Sequence, residues 1–180
     1  MQIHFAPFFV EETGAIIVRV MLSTPFTDAA IAELISEAKI IPDGLCTPIK
    51  AMSERSGHCR KEYEIVCDSG NCFVVKIRLS SVNPMDFSAI LGYRLPGSFT
   101  IFRLRRYNGR HHHTNILENE HFYDFHIHTA TERYQRPGFK EDHFAKVTNR
   151  HYNLESAVRA LLDECGFRSP LEDGPLFKKT

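Results

Sequence analysis

Asp124, His126 and His128 occupy alternate positions in the segment Phe122–Thr131. Alternate residues of a β-strand share one face, so this spacing sets a carboxylate and two imidazoles side by side. Histidine is the side chain that most readily exchanges a proton near neutral pH. A pair of imidazoles can therefore serve as base and acid in phosphodiester cleavage, while arginines neutralise the charge developing on phosphate. RNA carries its own nucleophile, the 2′-hydroxyl. On this reading His126 and His128 transfer protons and Asp124 orients an imidazole. Arg103, Arg105 and Tyr107 on the preceding strand bind phosphate, with Lys76 and Arg78 upstream, and no metal or cofactor is needed.

The same residues admit a second chemistry. A His-x-His pair on a strand places two metal ligands on one face, and a third can come from His111, His112 or His113; a metal-bound site would then draw on His126, His128, His111 and His113. A third reading leaves the polar face simply solvated, its imidazoles hydrogen-bonded beside an aspartate.

Several elements must position these groups. Tyr63, Ile65 and Cys67 share one face of a strand over Lys61–Cys67, a turn follows at Asp68–Asn71, and Phe73, Val75, Ile77 and Leu79 share one face of the next strand, with Lys76 and Arg78 opposite. Asp86–Leu95 continues the pattern to the turn at Pro96-Gly97. In Phe99–Tyr107, Phe102 and Leu104 point one way and Ile101, Arg103, Arg105 and Tyr107 the other. The polar stretch after Tyr107-Asn108-Gly109, with His111–His113, reads as the loop of a long-looped hairpin closed by Phe122–Thr131.

Helices are expected over Thr27–Lys39, with Thr27 as N-cap, and over Asn153–Cys165, with Asn153 as N-cap and Gly166 as stop. Extended pieces are expected at Ile3–Val10 and Ala15–Leu22, and a loop at Leu45–Cys59. The sum is an α+β fold, a mostly antiparallel β-meander sheet with two helices packed on one face. If the apolar faces all turn to one core, the other side collects Lys76, Arg78, Arg103, Arg105, Asp124, His126 and His128.

Composition sets outer bounds. A length of 180 residues suits one domain, here expected over 1–168 with a disordered tail at 169–180. A formal charge of zero gives no global push toward nucleic acid or membrane, although His58–His113 holds nine Lys/Arg against four Asp/Glu. No apolar run approaches the ~20 residues of a spanning helix. Five cysteines, an odd number without zinc-knuckle spacing, suggest free thiols and a reducing cytoplasm.

RRYNG, a His-rich segment, FYDFHIHTATERYQ and a closing amphipathic helix ending in ECGF together resemble a family of small bacterial proteins over Asp86–Phe167. The order of elements is also similar, more loosely, to TumE-type components of toxin–antitoxin loci. The resemblance implies an intracellular toxin-like protein of a mobile or defence-type locus with an antitoxin or other protein partner, and it transfers no catalytic residue. The leading expectation is a metal-independent RNA-binding protein or ribonuclease. The alternatives are a non-catalytic protein- or nucleic-acid-binding module and a histidine-ligated metalloenzyme.

Overall fold

The computed structural model describes residues 25–46, 53–136 and 138–170. The extended pieces expected at Ile3–Val10 and Ala15–Leu22 lie outside the described residues, as does the tail beyond residue 170. The chain runs α1 (Asp28–Ser36), β1 (Lys39–Ile40), β2 (Ser53–Arg55), β3 (His58–Val66), β4 (Cys72–Ser80), β5 (Phe87–Arg94), β6 (Ile101–Asn115), β7 (Glu120–Thr129), a 3-10 turn (Glu132–Tyr134), β8 (Ala145–Val147), α2 (Leu154–Glu164) and β9 (Phe167–Arg168). Strands β2 to β8 form one seven-stranded antiparallel sheet in sequence order, and β1 pairs with β9 in parallel. Among the described residues no helix is long and apolar enough to cross a membrane.

Both helices pack on one face. Phe73, Val75 and Ile77 of β4, Phe87, Ala89, Leu91 and Tyr93 of β5 and Tyr107 of β6 meet Ile31 of α1 and Leu154, Ala157, Ala160 and Leu161 of α2. The caps act where the sequence places them. Thr27 Oγ1 accepts from the Ala30 N–H (3.1 Å), and Asn153 and Ser156 form a reciprocal capping box. Helix α1 ends at Ser36, short of the expected Lys39, because the Lys39 ammonium turns back onto the carbonyls of Leu34, Ile35 and Glu37 while its N–H bonds the Gly166 carbonyl.

Two expected loops are partly strand. Within 45–59, Ser56 and Gly57, both at positive φ (52° and 72°), make a two-residue turn that joins β2 to β3. The histidines 111–113 are not a loop either. They extend β6, with His111 opposite Asp124, His112 opposite Tyr123 and His113 opposite Phe122, and the connection shrinks to residues 116–119. Cross-strand ring contacts, His112 to Tyr123 at 4.8 Å and His113 to Phe122 at 5.3 Å, favour the extension.

Two β-bulges in β6 decide which residues share a face. Pairing passes from Leu91↔Arg105 to Gly92↔Arg103, leaving Leu104 as the extra residue, and later from Asn108↔His126 to His111↔Asp124, with Gly109 and Arg110 opposite the single residue Phe125. The first bulge turns Arg105 and Tyr107 toward the helices and Arg106 and Asn108 to the opposite face. The second restores His111 and His113 to that opposite face. Gly109 is required there, since a Cβ would stand 1.7 Å from the Met85 carbonyl oxygen. Gly109→Ala is expected to destabilise the fold by about 1–3 kcal/mol or more through this backbone clash. A urea melt within 0.5 kcal/mol of the parent, roughly the scatter of a neutral substitution, would contradict that packing.

Candidate functional site

The face away from the helices is not open at its β6–β7 end. Residues 141–143, on the way from the 3-10 turn to β8, lie across it. Arg103 Nε bonds Glu141 (3.1 Å), Arg106 Nε lies 3.1 Å from Asp142 Oδ2, and the His143 ring sits 5.3 Å from that of His113. His126 and His128, expected on a solvated surface, are consequently buried, at 0% and 1% exposure. This corrects the expectation: covering chain, distant in sequence, converts the outer face of β7 into interior.

Burial is compatible with these imidazoles because each is oriented by a backbone carbonyl. His126 Nδ1 lies 2.7 Å from the Asp124 carbonyl oxygen and His128 Nδ1 lies 2.8 Å from that of Asp142. A carbonyl only accepts, so both nitrogens carry the proton and both Nε2 atoms present lone pairs. Those lone pairs turn toward Asn108, whose Nδ2 is 3.1 Å from His128 Nε2 and 3.5 Å from His126 Nε2. The rings of His111 and His126 are 4.6 Å apart and those of His126 and His128 are 4.8 Å apart. One ligand atom from each of His111, His126 and His128 falls within 4.8 Å of the others, and His111 is exposed.

Asp124 takes part through its main chain, not its carboxylate. Its side chain accepts from the following Phe125 N–H (2.8 Å) and lies 3.8 Å from Arg110. His113 borders the cluster without offering its Nε2 lone pair. Asn115 Oδ1, already accepting from the Ala145 N–H at 2.9 Å, lies 3.1 Å from His113 Nε2, which must therefore donate. His112 points to the opposite face with Tyr123.

The electrostatics follow from the burial. His126 is pushed down to about 4, first by burial and then by the neighbouring His111, His113 and Arg106, against the Asp124 carbonyl. His128 is held far lower still, by burial and then by Arg106, and His111 is lowered by the same two causes. All three are neutral at neutral pH. Arg106 Nη2 stands 3.2 and 3.3 Å from the two nitrogens of His128.

The five expected phosphate-binding residues are dispersed and engaged. Lys76 pairs with Glu62 at 3.1 Å, Arg78 makes a two-pronged pair with Asp86 at 2.8 and 2.9 Å, and Arg103 is held by Glu141. Arg105 and Tyr107 lie on the helix face, both bonded to Glu164 of α2 at 3.1 and 3.0 Å, away from His126 and His128. The Leu104 bulge is the reason: it moved them out of phase with Arg103 and brought Arg106 in. Arg106, Asn108, Asp142 and His143 escaped the sequence reading. Alternation pointed away from the first two, and nothing local marks the others.

No protein-family model, no curated protein and no solved structure matches this chain.

Proposed function

We propose that this protein is a metalloprotein in which His111, His126 and His128 bind a divalent transition metal. The observation that carries the reading is the convergence of their ligand atoms within 4.8 Å. The carbonyls that fix the Nδ1 protons of His126 and His128 are the outer-shell partners commonly found behind metal-bound imidazoles. Three neutral nitrogen donors suit zinc or a neighbouring first-row ion. They also leave its full positive charge available to activate a bound water on the solvent side, at His111. A metal-free ribonuclease would ask His126 and His128 to titrate near neutral pH, and burial opposes that role.

Elemental analysis of the purified chain, with titration of metal-stripped protein by Zn2+, tests the reading. The parent is expected to take up about one equivalent. His126→Ala and His128→Ala, checked for folding by circular dichroism, should each weaken binding by about 100-fold, the upper range of outer-shell losses, since each removes a ligand outright. Equal uptake by the parent and the double variant would remove the proposal. RNA cleavage that persists in chelator-treated protein would favour the metal-free reading instead.

A further inference from the structure

We infer that Asn108 is a fourth ligand of the proposed metal centre, entering through its side-chain oxygen after the amide rotates by half a turn. The inference rests on the His111–His126–His128 reading and adds a donor that neither histidine spacing nor side-chain charge would pick out. Metal–nitrogen bonds of about 2.0–2.1 Å put neighbouring ligand atoms about 3.0 Å apart in octahedral geometry and about 3.4 Å apart in tetrahedral geometry. The terminal amide atom of Asn108 stands 3.1 Å from His128 Nε2 and 3.5 Å from His126 Nε2, so it already sits at ligand-to-ligand spacing, as a vertex and not at the position of the ion.

The chemistry of the amide fits both states. Without metal, the NH2 group donates toward the two lone pairs. With a cation between the imidazoles those lone pairs are engaged, an N–H directed at the ion becomes repulsive, and the carbonyl oxygen is the favoured end. The two ends of the amide have nearly the same shape, so the rotation asks little of the packing around a residue that is 3% exposed. The main chain holds Asn108 in place meanwhile: it is opposite His126 on β7 and Ser88 on β5, and its carbonyl accepts from His151 Nε2 at 2.8 Å.

Three imidazole nitrogens and one amide oxygen change the expected metal. An oxygen donor favours ions that accept five or six ligands over a closed tetrahedral zinc site, and the further positions then belong to solvent or substrate on the exposed His111 side.

Cobalt(II) chloride titrated into the full metal-stripped chain tests this, because the intensity of the cobalt visible bands reports coordination number. The parent should give the weak bands of a five- or six-coordinate ion. Asn108→Leu should lose about tenfold or more in cobalt affinity, and Asn108→Asp, which supplies oxygen whichever way it turns, should gain about tenfold, within the range for single groups at metal sites. If Asn108→Leu does not fold, Asn108→Asp decides alone. Unchanged affinity in the folded variants with normal binding by the parent overturns the Asn108 ligand and leaves the histidine site standing. No cobalt or zinc binding by the parent overturns both.

Discussion

Lys39→Met is expected to lower the free energy of unfolding by about 1–3 kcal/mol, the cost of leaving buried acceptors without a donor. The Lys39 ammonium is fully buried, and its three N–H groups lie within hydrogen-bond distance of four main-chain carbonyls, one N–H being shared: those of Leu34 (2.9 Å), Ile35 (3.1 Å) and Glu37 (2.7 Å) at the end of α1 and that of Cys165 (3.1 Å) at the end of α2. Helix ends leave carbonyls without helical partners and carry partial negative charge, so one cation closes both termini. Its nitrogen also lies 4.2 Å from the centre of the Phe73 ring. Burial lowers the Lys39 pKa, opposed by the nearby Cys165, Cys67 and Glu37, so the ammonium is costly to bury. Methionine matches its length and removes that cost, but it cannot satisfy the carbonyls it abandons. Urea denaturation at neutral pH measures the balance. A loss below 1 kcal/mol, about the worth of one ordinary hydrogen bond, would show that water or rearrangement replaces the ammonium.

Metal-free protein is expected to lose about 3 kcal/mol of stability from His126 alone as the pH falls from about 6.5 to about 4, since each pH unit in that window is worth about 1.4 kcal/mol. The sign follows from proton uptake. The unfolded chain protonates this imidazole below about 6.5, whereas the folded chain resists until about 4. Between those values the unfolded state binds the extra proton and acid favours it. Below about 4 both states are protonated and the His126 contribution is gone. His128 acts in the same direction over a window that reaches lower, and His151, buried against the aromatic rings of Phe87, Tyr107 and Phe125, adds to the upper part. Urea melts at several pH values between 7 and 4.5 give the slope, and His126→Gln should flatten it. An identical slope in the variant would mean that His126 titrates normally in the fold. If the proposed histidine site takes up metal, saturating ion should raise stability at pH 7 to the extent that the assembled site binds it more tightly than the unfolded chain does.

Much of the frame was legible in the chain. Period-two alternation in β4 and β5 and period-3.6 spacing in α2 are local signals, and Thr27 and Asn153 cap the helices they were expected to cap. The cysteines, expected as buried or half-buried free thiols, are free; Cys165 is buried and Cys59, Cys67 and Cys72 are half-buried, whereas Cys46 is exposed. What misled was the assumption that alternation continues unbroken along β6. One extra residue at Leu104 reverses the phase, so Arg105 and Tyr107 meet Glu164 while Arg106 meets His128. The polar run His111–His113 looked like a loop because its residue types favour no element. It is a strand because Tyr123 and Phe122 lie opposite it.

By itself the sequence determined where the strands and helices of the α+β fold lie and that His126 and His128 share one face of β7, because each depends only on local periodicity and capping. The meander order and the packing of both helices on one face were expected from that pattern and are found in the fold. Tertiary structure decided the chemistry of the two histidines. The two bulges, one of them possible only because Gly109 has no side chain to strike Met85, brought His111, Asn108 and Arg106 to the imidazoles. Asp142, 14 residues beyond His128, closed over them. Loss of water holds those imidazoles neutral, which turns residues suited by type to proton exchange into fixed lone-pair donors.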